Sequence, residues 1–306
     1  MSKVLIATEK PFAPDAKEKI VSLIKEKGME PLLLEKYTDK SQLLEAVKGA
    51  DAMIVRSDKV DREVLEAGDR LKVVVRAGAG YDNVDLEAAT ERGICVMNTP
   101  GQNSNAVAEL VFALLLNHLR KHFDGTSGGE LKDRTIGIFS YGHIGKEVAR
   151  IATGFGMKPL CLSRKVKENG EMRDGYEFVK DRDLLFSRSD IISISIPSSP
   201  DTKGVVNYDL LKLLPKGAIV VNTARKDVVN EEDMLKILGE RPDLAYLTDL
   251  QPDHAEEFKA LDKQYFATAK KMGAQTGEAN RNAGLAAVNQ IADFLDKGEA
   301  PFRVNK

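Results

Sequence analysis

A glycine-containing turn in the middle of the chain has a spacing suited to phosphate binding. A predicted strand, residues 135–140, leads into Ser140, Gly142 and Gly145 in the pattern S-x-G-x-x-G, and an amphipathic helix follows. Gly142 would let the backbone approach a pyrophosphate, and Gly145 would let the helix pack tightly on the strand. The free N–H groups and positive dipole end of such a helix favour phosphate, although an ordinary tight turn is the alternative. We expect dinucleotide contacts at Ser140, Gly142, His143, Ile144 and Gly145.

The next predicted strand, residues 158–163, ends without the acidic residue that usually binds the ribose 2′-hydroxyl of NAD. Ser163, Arg164 and Lys165 stand there instead. Two cations beside a hydroxyl are able to bind the 2′-phosphate of NADP, but they are also common as solvated surface charges. We therefore expect NAD as the cofactor, with Ser163 and Arg164 near its adenosine end, and keep NADP as the alternative.

Four further segments resemble the motifs of one enzyme family. They are residues 54–57 (IVRS), 75–85 (VRAGAGYDNVD), 98–104 (NTPGQNS) and 221–225 (VNTAR). On these segments the chain resembles the D-isomer-specific 2-hydroxyacid dehydrogenases. The resemblance implies hydride transfer between NAD(P) and a small D-2-hydroxy acid. It also implies an α/β fold of two Rossmann-like, doubly wound parallel-sheet domains with the active-site cleft between them.

The resemblance assigns a role to each matched residue. Arg225 would hold the substrate carboxylate with its planar guanidinium and polarise the carbonyl. Arg56, with Ser57, would bind a phosphate at the far end of the substrate, and a surface ion pair is the alternative for Arg56. Further substrate contacts are expected from the backbone N–H groups of Gly78 and Ala79, and from Ala77 and Asn103. Contacts to the nicotinamide half are expected from Thr223, Ala224 and Asp249.

The chain departs from the family where a histidine and a glutamate usually form the acid/base pair. Residues 248–253 read TDLQPD and residues 268–273 read TAKKMG, so neither residue is at its place. Lys271 takes the histidine position when residues are counted from Gly273, and Lys270 takes it when they are counted from Thr268. We prefer Lys271 as the catalytic acid/base. A lysine can act as an acid/base at this position when its neutral form is accessible near neutral pH. The missing glutamate and a nearby arginine both favour a lower pKa of the lysine, and thus its neutral form. The alternative is that both lysines are surface charges and catalysis has been lost.

Predicted strands and amphipathic helices alternate along both halves of the chain, which indicates parallel sheets covered by helices. A loop rich in glycine and small polar residues, at positions 124–130, precedes the second series. We predict a substrate-binding domain of residues 1–98 plus 283–306 and a dinucleotide-binding domain of residues 99–282.

Composition narrows the class of protein. The 306 residues allow two domains, and the net charge of −2 argues against nucleic acid as a partner. No apolar run approaches the length of a membrane span, and no Cys/His cluster has metal-ligand spacing. Cys95 and Cys161 lie in apolar runs, so we expect both to be buried and reduced. These features predict a cytoplasmic enzyme, and the resemblance implies a homodimer.

Arg56 favours a phosphorylated 2-hydroxy acid as the substrate. Two rival functions remain open from the sequence. The first is a reductase of unphosphorylated glyoxylate or hydroxypyruvate, for which Arg56 would be dispensable. The second is a non-catalytic, NAD(H)-sensing binding protein on the same fold, which the missing Glu–His pair favours.

Overall fold

The computed structural model describes residues 1–163, 165–166 and 168–306. The strands are β1 Lys3–Thr8, β2 Glu30–Glu35, β3 Ala52–Val55, β4 Val73–Arg76, β5 Cys95–Asn98, β6 Thr135–Phe139, β7 Lys158–Leu162, β8 Glu171–Arg173, β9 Tyr176–Val179, β10 Ile191–Ile194, β11 Ile219–Asn222, β12 Ala245–Thr248 and β13 Tyr265–Ala267. The helices are α1 Pro14–Glu26, α2 Lys40–Val47, α3 Arg62–Ala67, α4 Leu86–Glu91, α5 Ser104–Leu119, α6 His143–Gly154, α7 Arg182–Ser187, α8 Tyr208–Leu211, α9 Glu231–Glu240, α10 Ala255–Lys259 and α11 Gly277–Lys297.

The first of two compact units contains Met1–Asn103 and Ala274–Lys306. Its parallel sheet has the strand order β2-β1-β3-β4-β5. The inner strands are almost wholly apolar because α1 and α11 cover one face and α2, α3 and α4 cover the other. The chain moves outward from β1 to β2 and then returns to β3. The carboxyl ends of β1 and β3 therefore form the crevice where such sheets usually bind ligands.

The second unit, Ser104–Gly273, has an eight-stranded sheet in the order β13-β12-β11-β10-β6-β7-β9-β8. Its strands are parallel except for the short edge strand β8, which is antiparallel to β9. Helices α5 and α6 cover one face, and α7 to α10 cover the other. The strand order reverses at β6 and β10, so the expected ligand crevice of this unit lies at the carboxyl ends of those two strands.

The boundaries between the units differ from the predicted ones. Residues 99–103 and 274–282, predicted in the dinucleotide-binding domain, belong to the first unit. The physical reason is that α11 is a continuous helix, capped at its start by the Thr276 hydroxyl, which accepts the Ala279 N–H at 3.1 Å. A boundary after residue 282 would cut this helix where its buried face packs on α1.

The two cysteines are buried and unpaired, as predicted. Burial raises the pKa of the Cys161 thiol to about 12, so this side chain stays neutral and packs as a small apolar group. Within the described residues, no helix is long and apolar enough to cross a membrane.

The last residues of the chain close the edge of the first sheet at β5. The Val304 N–H donates to the Val96 carbonyl at 2.8 Å. Asn305, which is 2% exposed, accepts the Val96 N–H on its Oδ1 at 2.8 Å and donates from Nδ2 to the Ile94 carbonyl at 2.9 Å. One side chain thus satisfies two backbone groups of an edge strand that would otherwise be open.

Replacing Asn305 by alanine is expected to lower the free energy of unfolding by about 1–3 kcal/mol, because the buried Val96 N–H and Ile94 carbonyl both lose their partner. Urea denaturation measures the change. Asn282→Ala, at an exposed position of α11, is the matched control and should change stability by less than about 0.5 kcal/mol. Equal stability of the two variants would contradict the role of Asn305.

Candidate active site

The predicted dinucleotide turn lies between β6 and α6. Ser140 has φ +99°, a region that favours glycine, and it occupies the first glycine position of the pattern. Gly145 is buried, and a Cβ there would lie 2.2 Å from the Ser140 carbonyl oxygen. This position therefore needs glycine, as the pattern predicts. A Cβ at Gly142 would meet only the Ser140 Oγ, at 3.9 Å, so the backbone on that side is open to a ligand.

Two buried hydroxyl groups stand at the carboxyl ends of neighbouring strands. Ser195 follows β10 and Thr223 follows β11, and neither Oγ atom has a hydrogen-bond partner within the described part of the chain. Buried polar groups are usually satisfied, so these two atoms suit a polar ligand. His143 and Ile144 begin α6, where backbone N–H groups point toward the same edge. This set of groups fits a dinucleotide.

Ser195 is absent from the residues predicted by sequence. Its signal is its place directly after the buried strand β10, beside β6, whose Phe139 carbonyl accepts the Ser195 N–H at 3.1 Å. On the far side of β6, the Ser163 Oγ accepts the Lys165 N–H at 3.2 Å, which closes the turn after β7 on itself. Arg164, predicted beside Ser163, lies outside the described residues.

Two cationic side chains meet at one backbone oxygen. The Arg225 Nη1 donates to the Ala224 carbonyl at 3.0 Å, and the Lys271 Nζ donates to the same oxygen at 3.4 Å. The turn that carries Arg225 is held by buried Asn222, whose Nδ2 donates to the Arg225 carbonyl at 2.9 Å. Lys270 and Lys271 are both exposed residues. Of the two candidate lysines, Lys271 is the one with a contact at the Arg225 turn.

The segment that bears both lysines is tied to Asp249. The Asp249 carboxylate is buried and accepts hydrogen bonds from the Thr268 hydroxyl at 2.9 Å, the Met272 N–H at 2.8 Å and the Gly273 N–H at 2.7 Å. Gln251 adds a bond from its Nε2 to the Thr268 carbonyl at 2.5 Å. A carboxylate has about four acceptor sites, and these three donors occupy most of those of Asp249. A nicotinamide group that binds Asp249 must therefore share its carboxylate with them.

The first unit has a cavity of about 190 Å³ at the carboxyl ends of β1, β3 and β4. Five of the predicted substrate-binding residues line it, namely Arg56, Ser57, Ala77, Gly78 and Asn103. Residues that the sequence analysis did not predict line it as well, among them Lys10, Arg76, Gln275 and Asn280. Ala79, which was predicted, is exposed and does not line it. The cavity therefore combines three basic residues with polar amides.

Arg56 is held by neutral acceptors. Its Nη1 donates to the Lys10 carbonyl at 2.9 Å and the Pro11 carbonyl at 3.1 Å, and its Nη2 donates to the Asn280 Oδ1 at 2.6 Å. Its guanidinium lies 5.2 Å from the centre of the Phe12 ring. Burial lowers the pKa of Arg56 below its ordinary value. Since no carboxylate among the described residues bonds to this guanidinium, the alternative of a surface ion pair is wrong.

The loop after β4 differs from the prediction in one respect. The Gly78 N–H, expected to bind a substrate carboxylate, donates to the Arg76 carbonyl at 2.8 Å within its own turn. Gly78 has φ +152°, and a Cβ there would lie 1.5 Å from the Arg76 Nη1. The glycine is therefore needed for the passage of the Arg76 side chain. Arg76 could have been found from its place as the last residue of a buried strand.

Comparison with known proteins identifies the family of the chain. The model of the D-isomer specific 2-hydroxyacid dehydrogenase catalytic domain matches residues 6–305. A glyoxylate reductase of Thermococcus litoralis is 36% identical over 293 residues, which cover 87% of this chain and 86% of that protein. A D-3-phosphoglycerate dehydrogenase of Methanocaldococcus jannaschii is 35% identical over 277 residues, which cover 85% of this chain and 52% of that longer protein.

A solved structure gives the same result over the whole chain. The NAD+-bound 3-phosphoglycerate dehydrogenase of Entamoeba histolytica has 43% sequence identity and a TM-score of 0.88, and the match covers 100% of this chain and 99% of that one. The predicted α/β fold with two parallel-sheet domains is thereby confirmed. From its motifs, its fold and these matches, the chain belongs to the D-isomer specific 2-hydroxyacid dehydrogenase family and is an oxidoreductase that acts on a CH–OH group.

Proposed function

We propose that this chain is a D-3-phosphoglycerate dehydrogenase, which uses NAD to interconvert 3-phosphoglycerate and 3-phosphohydroxypyruvate on the route to serine. The observation that carries the proposal is the cavity of the first unit, where the half-buried Arg56 forms no ion pair with a carboxylate of the described residues. The proteins of this name from Entamoeba histolytica and Methanocaldococcus jannaschii support it.

The chemistry of the cavity suits a phosphate dianion. A guanidinium has five N–H groups, and Arg56 has three acceptors among the described residues, which leaves capacity for a ligand. Arg76 and Lys10 line the same cavity, so the local charge is positive. Partly desolvated cations are costly unless an anion offsets them, and Arg–phosphate bonds are among the stronger hydrogen bonds in proteins. An unphosphorylated substrate end would offer the Arg56 guanidinium no such anion.

The second unit supplies the groups expected to hold NAD. The open backbone at Gly142 and the start of α6 suit its pyrophosphate, and the buried hydroxyls of Ser195 and Thr223 suit its polar groups. Asp249 would accept from the nicotinamide carboxamide only in addition to the donors it already has. When bound, NAD accepts the hydride that leaves C2 of the hydroxy acid.

Arg225 and Lys271 supply the remaining chemistry. Arg225 would hold the substrate carboxylate and polarise the oxygen on C2. In the oxidation, the neutral amine of Lys271 takes the proton of the C2 hydroxyl as the C2–H bond breaks and the carbonyl forms. In the reduction, the Lys271 ammonium returns that proton to the oxygen. The shared contact of both side chains with the Ala224 carbonyl supports their joint action on one substrate.

A second candidate function is a glyoxylate or hydroxypyruvate reductase. The similarity to the glyoxylate reductase of Thermococcus litoralis, over most of both chains, favours it. In that case Arg56 would serve only to tie α11 to the loop after β1 through Asn280 and Lys10.

The first experiment compares substrates in steady-state kinetics. The wild-type chain should reduce 3-phosphohydroxypyruvate with a higher kcat/KM than hydroxypyruvate or glyoxylate, and NADH should be preferred to NADPH. Arg56→Ala should lower kcat/KM for 3-phosphohydroxypyruvate by about 10–100-fold, because charge-assisted hydrogen bonds are lost, with little effect on hydroxypyruvate. Arg62→Ala, an exposed arginine of α3 in the same unit, is the control and should change neither value. Equal use of both substrates, unaffected by Arg56→Ala, would favour the reductase.

The second experiment concerns the acid/base. Lys271→Ala should lower kcat by about 10²–10⁴-fold, the usual contribution of a general acid/base, while NADH binding measured by fluorescence titration stays unchanged. Lys216→Ala, an exposed lysine at the opposite end of β11, should retain full activity. A loss in Lys270→Ala alone would move the assignment to that residue. Full activity of both the Lys270 and the Lys271 variant would refute a lysine acid/base.

A further inference from the structure

Asp58 is a buried carboxylate beneath the cavity of the first unit. It is 2% exposed and follows Arg56 and Ser57 in the loop after β3. Its Oδ1 accepts from the Glu9 N–H at 2.6 Å and the Tyr37 hydroxyl at 2.9 Å, and its Oδ2 accepts from the Arg56 N–H at 3.2 Å. No cationic side chain among the described residues forms an ion pair with it. Its burial is therefore sustained by hydrogen bonds from three separate parts of the chain.

These bonds join the loops at one edge of the sheet. Glu9 follows β1, Tyr37 follows β2, and Asp58 itself follows β3. The loop after β4 is tied to the same place, because the Asn83 Nδ2 donates to the Asp58 carbonyl at 2.7 Å. The Arg76 Nε, at the end of β4, donates to the Arg56 carbonyl at 2.9 Å. Four of the five strands thus end in loops that are fixed relative to one another through residues 56–58.

The Tyr37 hydroxyl is suited to remain a donor in this network. Burial, together with the charge of Asp58, raises the pKa of Tyr37 above its ordinary value, so the hydroxyl keeps its proton. The residue at position 58 must then accept from two N–H groups and one O–H group. An ionised carboxylate does this with two oxygens, whereas an amide would turn its NH2 group toward a donor.

The basic residues of the cavity stand on the loops that Asp58 joins. Lys10 adjoins Glu9, and its carbonyl accepts the Arg56 Nη1 at 2.9 Å. Arg56 is two residues from Asp58, and Arg76 bonds to the Arg56 carbonyl. Small displacements of these loops would separate three like charges that must converge on one anion.

We propose that Asp58 is a positioning residue, which fixes the loops after β1, β3 and β4 at the spacing that Lys10, Arg56 and Arg76 need to bind the phosphate group of the substrate. The proposal rests on the proposed function in that it takes the bound group to be a substrate phosphate. Asp58 itself contacts neither substrate nor cofactor and acts through Arg56 and its neighbours.

The test compares Asp58→Asn with a second buried carboxylate of the same unit. Asp51 is 5% exposed and accepts the Lys3 N–H at 2.8 Å and the Arg70 Nη2 at 2.9 Å, next to the amino end of β3. Asp58→Asn should raise the KM for 3-phosphohydroxypyruvate about tenfold and leave the KM for hydroxypyruvate, the KM for NADH and kcat unchanged. Calorimetric titration should show the Kd for inorganic phosphate weakened by the same factor. Asp51→Asn should lower Tm but change none of these constants.

Tyr37→Phe removes one of the three donors and should produce a smaller rise in the same KM, which keeps the test informative if Asp58→Asn folds poorly.

A loss of Tm in Asp58→Asn with an unchanged KM ratio and unchanged phosphate Kd would overturn the positioning role and leave the proposed function intact. Weaker phosphate binding in Asp58→Asn, from a wild-type chain that does not prefer the phosphorylated substrate, would support the positioning role and refute the proposed function. A wild-type chain that neither binds inorganic phosphate nor prefers the phosphorylated substrate would overturn both.

Discussion

In a sheet of parallel strands, every carboxyl end lies at the same edge, and both faces are sealed by helices. Polar side chains that must meet a ligand can therefore leave the apolar core only at that edge. In the first unit, Arg56 and Arg76 stand at or just past the ends of β3 and β4. In the second unit, Ser195, Thr223 and Asp249 follow β10, β11 and β12 in the same way. The distribution of the candidate functional residues follows from this one constraint.

The loops at these edges are held by buried carboxylates that bond mainly to backbone N–H groups. Asp58 joins the loops after β1, β2 and β3, and Asp249 holds the segment that carries Lys271. Hydrogen bonds to a charged acceptor are stronger than neutral ones, and each orients a stretch of backbone and not merely one side chain. Asp58 accepts the backbone N–H of Arg56 and also lies close enough to favour the charged form of its guanidinium.

The proposed acid/base, Lys271, lies in a segment where the chain departs from the pattern of its family. The segment that would hold the histidine has lysines instead, and the segment that would hold its glutamate partner is short, with Gln251 bonded to the Thr268 carbonyl. The position is thus supported by a neutral amide and by Asp249, whose carboxylate accepts from backbone and hydroxyl groups. Lys271 and Arg225 both donate to the Ala224 carbonyl.

The sequence alone determined the family, the two parallel sheets and most strands, because alternating apolar runs and linear motifs such as VNTAR are local properties. It did not predict β8, β9 or the helices α7 to α10. Strands β8 and β9 and helices α7, α8 and α10 have only three to six residues each and no distinct periodicity. The ten-residue α9 is amphipathic and was missed. Only the tertiary structure decided that Lys271 rather than Lys270 contacts the Ala224 carbonyl, and that Gly78 makes room for Arg76. It also decided that Asn280, far along the chain, bonds to Arg56 and that Asp58 joins four loops. These contacts join residues from separate elements, so no local pattern encodes them until the sheets bring the strand ends together.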